Sequence, residues 1–131
     1  MSFVVSRLRT HSMIDANLTR MYPELVESGG LLPAIRAAFA QHPTIEINGF
    51  GTGAHYAHLA AGSRSADVYI GAAQRIFLFG LCEESACQVQ GETPEFDGLV
   101  GALTAWLLRH SSVTELVSAH PFCESHHRKT T

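Results

Sequence analysis

The chain has 131 residues, 46% of them hydrophobic and 16% charged, with a formal net charge of -3. That length makes one domain of ordinary size, able to bury a core without staples, and the composition excludes a disordered chain. The acidic balance (pI near 6.2) offers nothing to nucleic acid, and no stretch reaches the roughly 18 apolar residues of a membrane span.

Residues 1–21 read as an arm that wraps the domain or reaches a partner chain. Phe3-Val4-Val5 would be a short strand in it, and Met13, Ile14 and Leu18 one face of a short helix. No long apolar run follows a basic head, so no signal peptide is expected. Tyr22-Pro23 opens the first clear helix, with Glu24 and Glu27 near its N-terminus, and Gly29-Gly30 breaks it. A second helix starts at Leu31. Its stripe is Leu31, Leu32, Ile35, Ala38 and Phe39, and His42-Pro43 ends it.

Ile45 and Ile47 alternate with Glu46 and Asn48, the pattern of a strand with one wet face. The run Gly49 to Gly53 is a turn, a strand follows near 54–61, and Gly62-Ser63-Arg64 turns again. The centre of the architecture is the hairpin over 65–81. Val68 and Ile70 alternate with Asp67 and Tyr69, whereas Ile76 to Phe79 is apolar on both faces, as in a strand lying mid-sheet. Cys82 to Ser85 is a polar connection, and Ala86 to Gln90 is a fifth strand.

Thr93-Pro94-Glu95 reads as a helix start with Thr93 as N-cap. Phe96, Leu99, Val100, Leu103, Trp106 and Leu107 then step three and four apart. This stripe should lie on the sheet and contribute roughly 1.5–3 kcal/mol per large side chain. Ser112 and Glu115 fit a capping box for a short helix that ends before Pro121. Phe122 should plug back into the core, and residues 124–131 read as a frayed tail. The expected fold is α+β in a single domain: N-terminal helices, a five-stranded mostly antiparallel sheet, and two C-terminal helices packed on it.

Chemistry-bearing residues are few. His55 and His58 are three apart, which puts them on opposite faces of a strand and argues against a shared metal. Tyr56 and His58 would instead share a face, and with Asp67 they are the acid–base candidates. Tyr69, Arg75 and Arg64 are the substrate-binding candidates, Arg64 as an anion holder in its turn. These residues read either as the polar wall of a cleft between sheet and helices or as the wet face of an ordinary sheet. Cys82, Cys87 and Cys123 are an odd number and read as reduced thiols. The glycines of 49–53 lack a phosphate-loop ending. None of these patterns calls for a metal or a cofactor.

The progression Gly91-Glu92-Thr93, then Leu99 to Leu107, Thr114-Glu115-Leu116 and His120-Pro121-Phe122 resembles an actinobacterial family of uncharacterised domains. Tyr22 to Leu25, Ser28 to Leu31 and Ala34 to Ala38 look like its opening helices. The resemblance spans most of 22–122, is carried by core positions and helix stops, and brings no catalytic signature. The family's label links it to natural-product biosynthesis. What it implies is a part in specialised metabolism, and the reduced cysteines point to the cytoplasm; the first hypothesis is a cofactor-free tailoring enzyme, such as a cyclase or isomerase, that binds a small molecule or peptide. The alternative is a non-catalytic module, a homodimer or a partner that presents substrate to a biosynthetic enzyme. Neither version engages nucleic acid or a membrane.

Overall fold

The computed structural model describes residues 18–49 and 55–125. The strand expected at Phe3 to Val5, the apolar positions Met13 and Ile14, the turn over 50–53 and the histidines from 126 onward lie outside the described residues. After a helical turn over residues 18–21 come α1 (Pro23–Ser28), α2 (Leu31–Ala38), β1 (Glu46–Gly49), β2 (Tyr56–Ala61), β3 (Arg64–Ile70), β4 (Phe77–Glu83) and β5 (Ala86–Thr93). Next are α3 (Phe96–Leu107), α4 (Val113–Ala119) and β6 (Cys123–Ser125). The strands form one antiparallel meander in sequence order. The fold is α+β, with a sheet of six strands among the described residues where five were expected.

The sixth strand corrects the reading of the tail. β5 runs three residues past Gln90, and Cys123 to Ser125 pair with Gly91 to Val89. Glu124 and Ser125 are therefore held in a ladder, and the short β6 covers backbone groups that β5 would otherwise leave open.

Local chemistry explains most boundaries. Gly29 ends α1 in the left-handed region at φ 99°, where its N–H bonds back to the helix. At the head of α4 the capping box is complete: Ser112 Oγ accepts from the Glu115 N–H, and Glu115 Oε1 accepts from the Ser112 N–H. The start of α3 differs from expectation. Thr93 is the buried last residue of β5, and Glu95 occupies the N-cap position. The Thr93 hydroxyl still accepts the Glu95 N–H at 3.1 Å, so it closes the strand-to-helix turn instead of capping the helix.

Helices α2, α3 and α4 lie on one face of the sheet, and α1 packs on α2. α2 packs on β1 and β2, α3 on β3 to β5, and α4 on α3 and β6. Leu99, Leu103 and Trp106 meet Leu59, Val68, Phe77, Leu81 and Val89 in a core with no exposed member among these eight. The Trp106 indole N–H donates to the Cys82 carbonyl at 3.2 Å, so its one polar atom is satisfied inside the core. The loop between β3 and β4 is organised by Tyr22, which is fully buried. Its hydroxyl donates to the Gly71 carbonyl at 2.7 Å and accepts the Ile76 N–H at 3.0 Å. Gly71 is required there, because a Cβ would lie 2.7 Å from the Gln74 carbonyl and 2.8 Å from Ile76 Cγ2.

Candidate functional site

The sheet face turned away from the helices carries the polar side chains. A strand sends alternate residues to opposite faces, so burying Ala57 and Leu59 turns Tyr56 and His58 outward. On β3, Ala66, Val68 and Ile70 are buried, which turns Asp67 and Tyr69 outward. The two-residue turn Gly62-Ser63, with Gly62 at φ 64°, sets the register between these strands. As a result Tyr56 faces Tyr69, and His58 faces Asp67. Further pairing extends one row across the sheet: Asn48, His58, Asp67, Gly80, Gln90 and Glu124.

Asp67 is the hub of this row. Its Oδ1 accepts from the Tyr56 hydroxyl at 2.6 Å and lies 2.8 Å from His58 Nδ1. A carboxylate oxygen only accepts, so Nδ1 carries a proton, and in the neutral ring Nε2 is the nitrogen with the lone pair. Nε2 takes no hydrogen bond among the described residues, and the His58 side chain is 37% exposed. Burial, reinforced by the bond to Asp67, pushes the Tyr56 phenol well above its ordinary range, so it remains a donor that pins the carboxylate. Tyr69 packs its ring beside Tyr56, with centroids 4.9 Å apart. A carboxylate that orients a histidine and leaves the far nitrogen free is the arrangement of a general base.

Beside this cluster lies a hollow of about 560 Å³ over β3, β4 and β5. Asp67, Tyr69, Leu78, Gly80, Cys87 and Gln90 border it, with Glu92 and Glu124 at its far side. Gly80 lets the floor open, since it puts no side chain between Asp67 and Gln90. Among the described residues, three carboxylates and no lysine or arginine line the hollow. It therefore disfavours phosphate or carboxylate ligands and suits a neutral or cationic group. Leu78, 37% exposed, and Tyr69, 50% exposed, stand opposite each other and give it an apolar patch.

Tyr56, His58, Asp67 and Tyr69 are thus brought together, but on the outer face. The expected cleft between sheet and helices is filled by the core around Trp106. The two arginines go elsewhere. Arg64 projects to the helix side, where its Nη1 donates to the carbonyls of Trp106 at 3.2 Å and Ser111 at 2.7 Å. Its guanidinium stacks 3.8 Å over the Trp106 ring. Arg75 donates to the carbonyls of Met21 and Pro94 and pairs with Glu24. Both are tied up in holding the fold. The sequence reading did not assign Gly80, Cys87, Gln90 or Glu92 to the site. Their signal lay in the register of β4 against β5, which a bulge at Leu81/Cys82 shifts.

His55 precedes β2 and is exposed. Among the described residues no group of three or more His, Cys, Asp or Glu is gathered as a metal set. No helix among them is long and apolar enough to cross a membrane. No family model, curated protein or solved structure matches the chain.

Proposed function

We propose that this protein binds a small neutral or cationic molecule, or a peptide side chain, on the open sheet face and moves a proton with His58. The observation that carries this reading is the double bond-acceptance at Asp67 Oδ1, which leaves His58 Nε2 without a hydrogen bond among the described residues, one strand over from the hollow that Asp67 and Tyr69 border. In it, His58 Nε2 removes a proton from the bound ligand, Asp67 stabilises the imidazolium that forms, and Tyr56 holds Asp67 in place. Proton transfer of this kind drives isomerisation or cyclisation. The resemblance to the natural-product family supports placing that step in specialised metabolism, in the cytoplasm. Acidic lining and exposed Tyr69 and Leu78 support an occupant with an amine and an apolar body.

The test is a thermal-shift and NMR screen of amine-bearing and matched anionic small molecules, followed by proton exchange of the hits in D2O. Amines should bind, and the protein should speed exchange of an acidic C–H of the bound ligand. His58→Gln should retain binding and lose exchange. Binding without exchange would reject the catalytic step, and preferential binding of anions would reject the site.

A second reading has its own observation. Tyr69 and Leu78 are the large hydrophobic residues left exposed among the described residues, and they are neighbours. An accessory module that docks through this patch explains them without chemistry. Light scattering of Leu78→Glu against the unmodified chain separates the two. A dimer that this change breaks favours the module; an unchanged monomer with proton exchange favours the enzyme.

A further inference from the structure

We propose that Cys82 and Cys87 form a redox-active dithiol that closes to an intramolecular disulfide in exchange with a low-molecular-weight disulfide. This inference does not depend on the proton-transfer reading. Cys82 on β4 and Cys87 on β5 are direct cross-strand partners, the next pair along the ladder after Glu83 and Ala86, which flank the two-residue turn Glu84-Ser85. Directly opposed residues of an antiparallel pair lie about 4.5–5.5 Å apart at Cα, within the range of about 4.4–6.8 Å that a disulfide spans. Their sulfurs are already 2.9 Å apart. The backbone therefore needs no rearrangement to close the bond. Both turn residues hold positive φ, 50° at Glu84 and 72° at Ser85, in the mirror-image turn that joins a tight hairpin, and the bulge at Leu81/Cys82 shifts the register only beyond the cysteine pair.

Exposure separates the roles of the two thiols. Cys87 is exposed and borders the hollow, with its sulfur 3.5 Å from where a Cβ on Gly80 would lie. Cys82 is buried. Burial, with the bond to Cys87, raises its thiol to about 12, so the first attack falls to Cys87. The Cys87 thiolate attacks one sulfur of the small disulfide RSSR. Its S–S bond breaks, a mixed disulfide forms on Cys87, and one thiolate leaves. Cys82 then gives its proton to the departing thiolate, attacks the Cys87 sulfur and expels the second thiolate. The second thiolate takes up the proton that Cys87 released to solvent on ionising, so two protein thiols are oxidised and one RSSR is reduced to two RSH. Cys123 is buried and paired with Gly91, apart from this pair, and takes no part.

The test treats the reduced full chain with oxidised glutathione, alkylates remaining thiols under denaturing conditions and reads tryptic masses. Cys82 and Cys87 fall in the peptide 76–109, and Cys123 falls in the next one. The expected product is a peptide 76–109 lighter by two hydrogens and unalkylated, with Cys123 fully alkylated. Cys82→Ser should stop at glutathione bound to Cys87, and Cys87→Ser should react at least about tenfold more slowly than the unmodified chain. An unmodified chain that ends as the mixed disulfide, or keeps both thiols where dithiothreitol is oxidised, overturns the proposal. So does a Cys87→Ser chain that reacts at the original rate. The unmodified chain decides the question even where a variant fails to fold.

Discussion

Arg64 is a strand residue that holds the end of a helix, and replacing it measures that role. Its Nη1 meets the carbonyls of Trp106 and Ser111, and its guanidinium covers the Trp106 ring. The Trp106 carbonyl belongs to the last turn of α3, the negative pole of its dipole, and Ser111 lies in the connection to α4. The chain there turns through His110 at φ 54°, and the Ser111 N–H bonds back to Ala105. Arg64→Met keeps the apolar stem and removes the charge. Two charge-assisted hydrogen bonds contribute about 1.5–3 kcal/mol each, and the stacked cation about 0.5–2 kcal/mol. Against this, Nε is buried without a hydrogen-bond partner, and methionine removes that desolvation cost. The ion pair with Glu83, at 3.6 Å and with the carboxylate 43% exposed, adds little. The net expectation is a loss of about 2–3 kcal/mol, a drop of about 1–2 M in the urea midpoint. Trp106 is the chain's single tryptophan, so its fluorescence reports unfolding at the place where the contact is lost. A midpoint that moves by less than about 0.3 M would refute the anchoring role and return Arg64 to the list of ligand-binding residues.

Two other expectations rest on buried polar atoms. Tyr22→Phe removes the hydroxyl that serves Gly71 and Ile76, and should cost about 1–3 kcal/mol while exposing the Ile76 amide to hydrogen exchange; an Ile76 amide that stays protected contradicts the account. Burial raises the Cys123 thiol to about 11 and the Cys82 thiol to about 12. Both lie above the unfolded value near about 8.5, so their contribution is complete below that pH and is lost as pH rises toward 11–12. Urea midpoints of reduced protein should therefore fall from about pH 8.5 upward, and less steeply in Cys123→Ala; equal slopes would remove Cys123 from the explanation.

What could be read without coordinates was whatever repeats along the chain. The three-and-four spacing from Phe96 to Leu107 does form α3, and Trp106 and Leu103 are fully buried against the strands. Period two placed Tyr56 and His58 together, and the short turn at Gly62 brought Asp67 opposite His58 and Tyr69 opposite Tyr56. Residues whose partners lie far along the chain were illegible. Arg64 bonds carbonyls 42 and 47 positions away, and Arg75 reaches back 54 positions to Met21. An arginine in a turn carries no local mark of a distant carbonyl. β6 escaped for a related reason: three residues cannot display an alternation, and only the longer β5 creates their place. Thr93 misled because Thr-Pro-Glu has cap chemistry, yet the same hydroxyl also closes a strand-to-helix turn.

The division of the sheet into two faces makes a strand glycine informative. Glycine inside a strand weakens it and tends to mark a place where something must approach the backbone. Gly91 has an internal reason: a Cβ there would lie 2.4 Å from the Phe79 ring, so the core needs the gap. Gly80 has none on the covered side, because it faces outward between Asp67 and Gln90 in the row that crosses the open face. Its nearest neighbour is the Cys87 sulfur, at ordinary contact distance. A Cβ would fit, so packing does not require glycine at this position. What glycine preserves is the floor of the hollow, flanked by the Asp67–His58 pair on one side and the cysteine pair on the other. Filling that floor with Gly80→Val would leave the helix-covered core in place while closing the space both chemistries share.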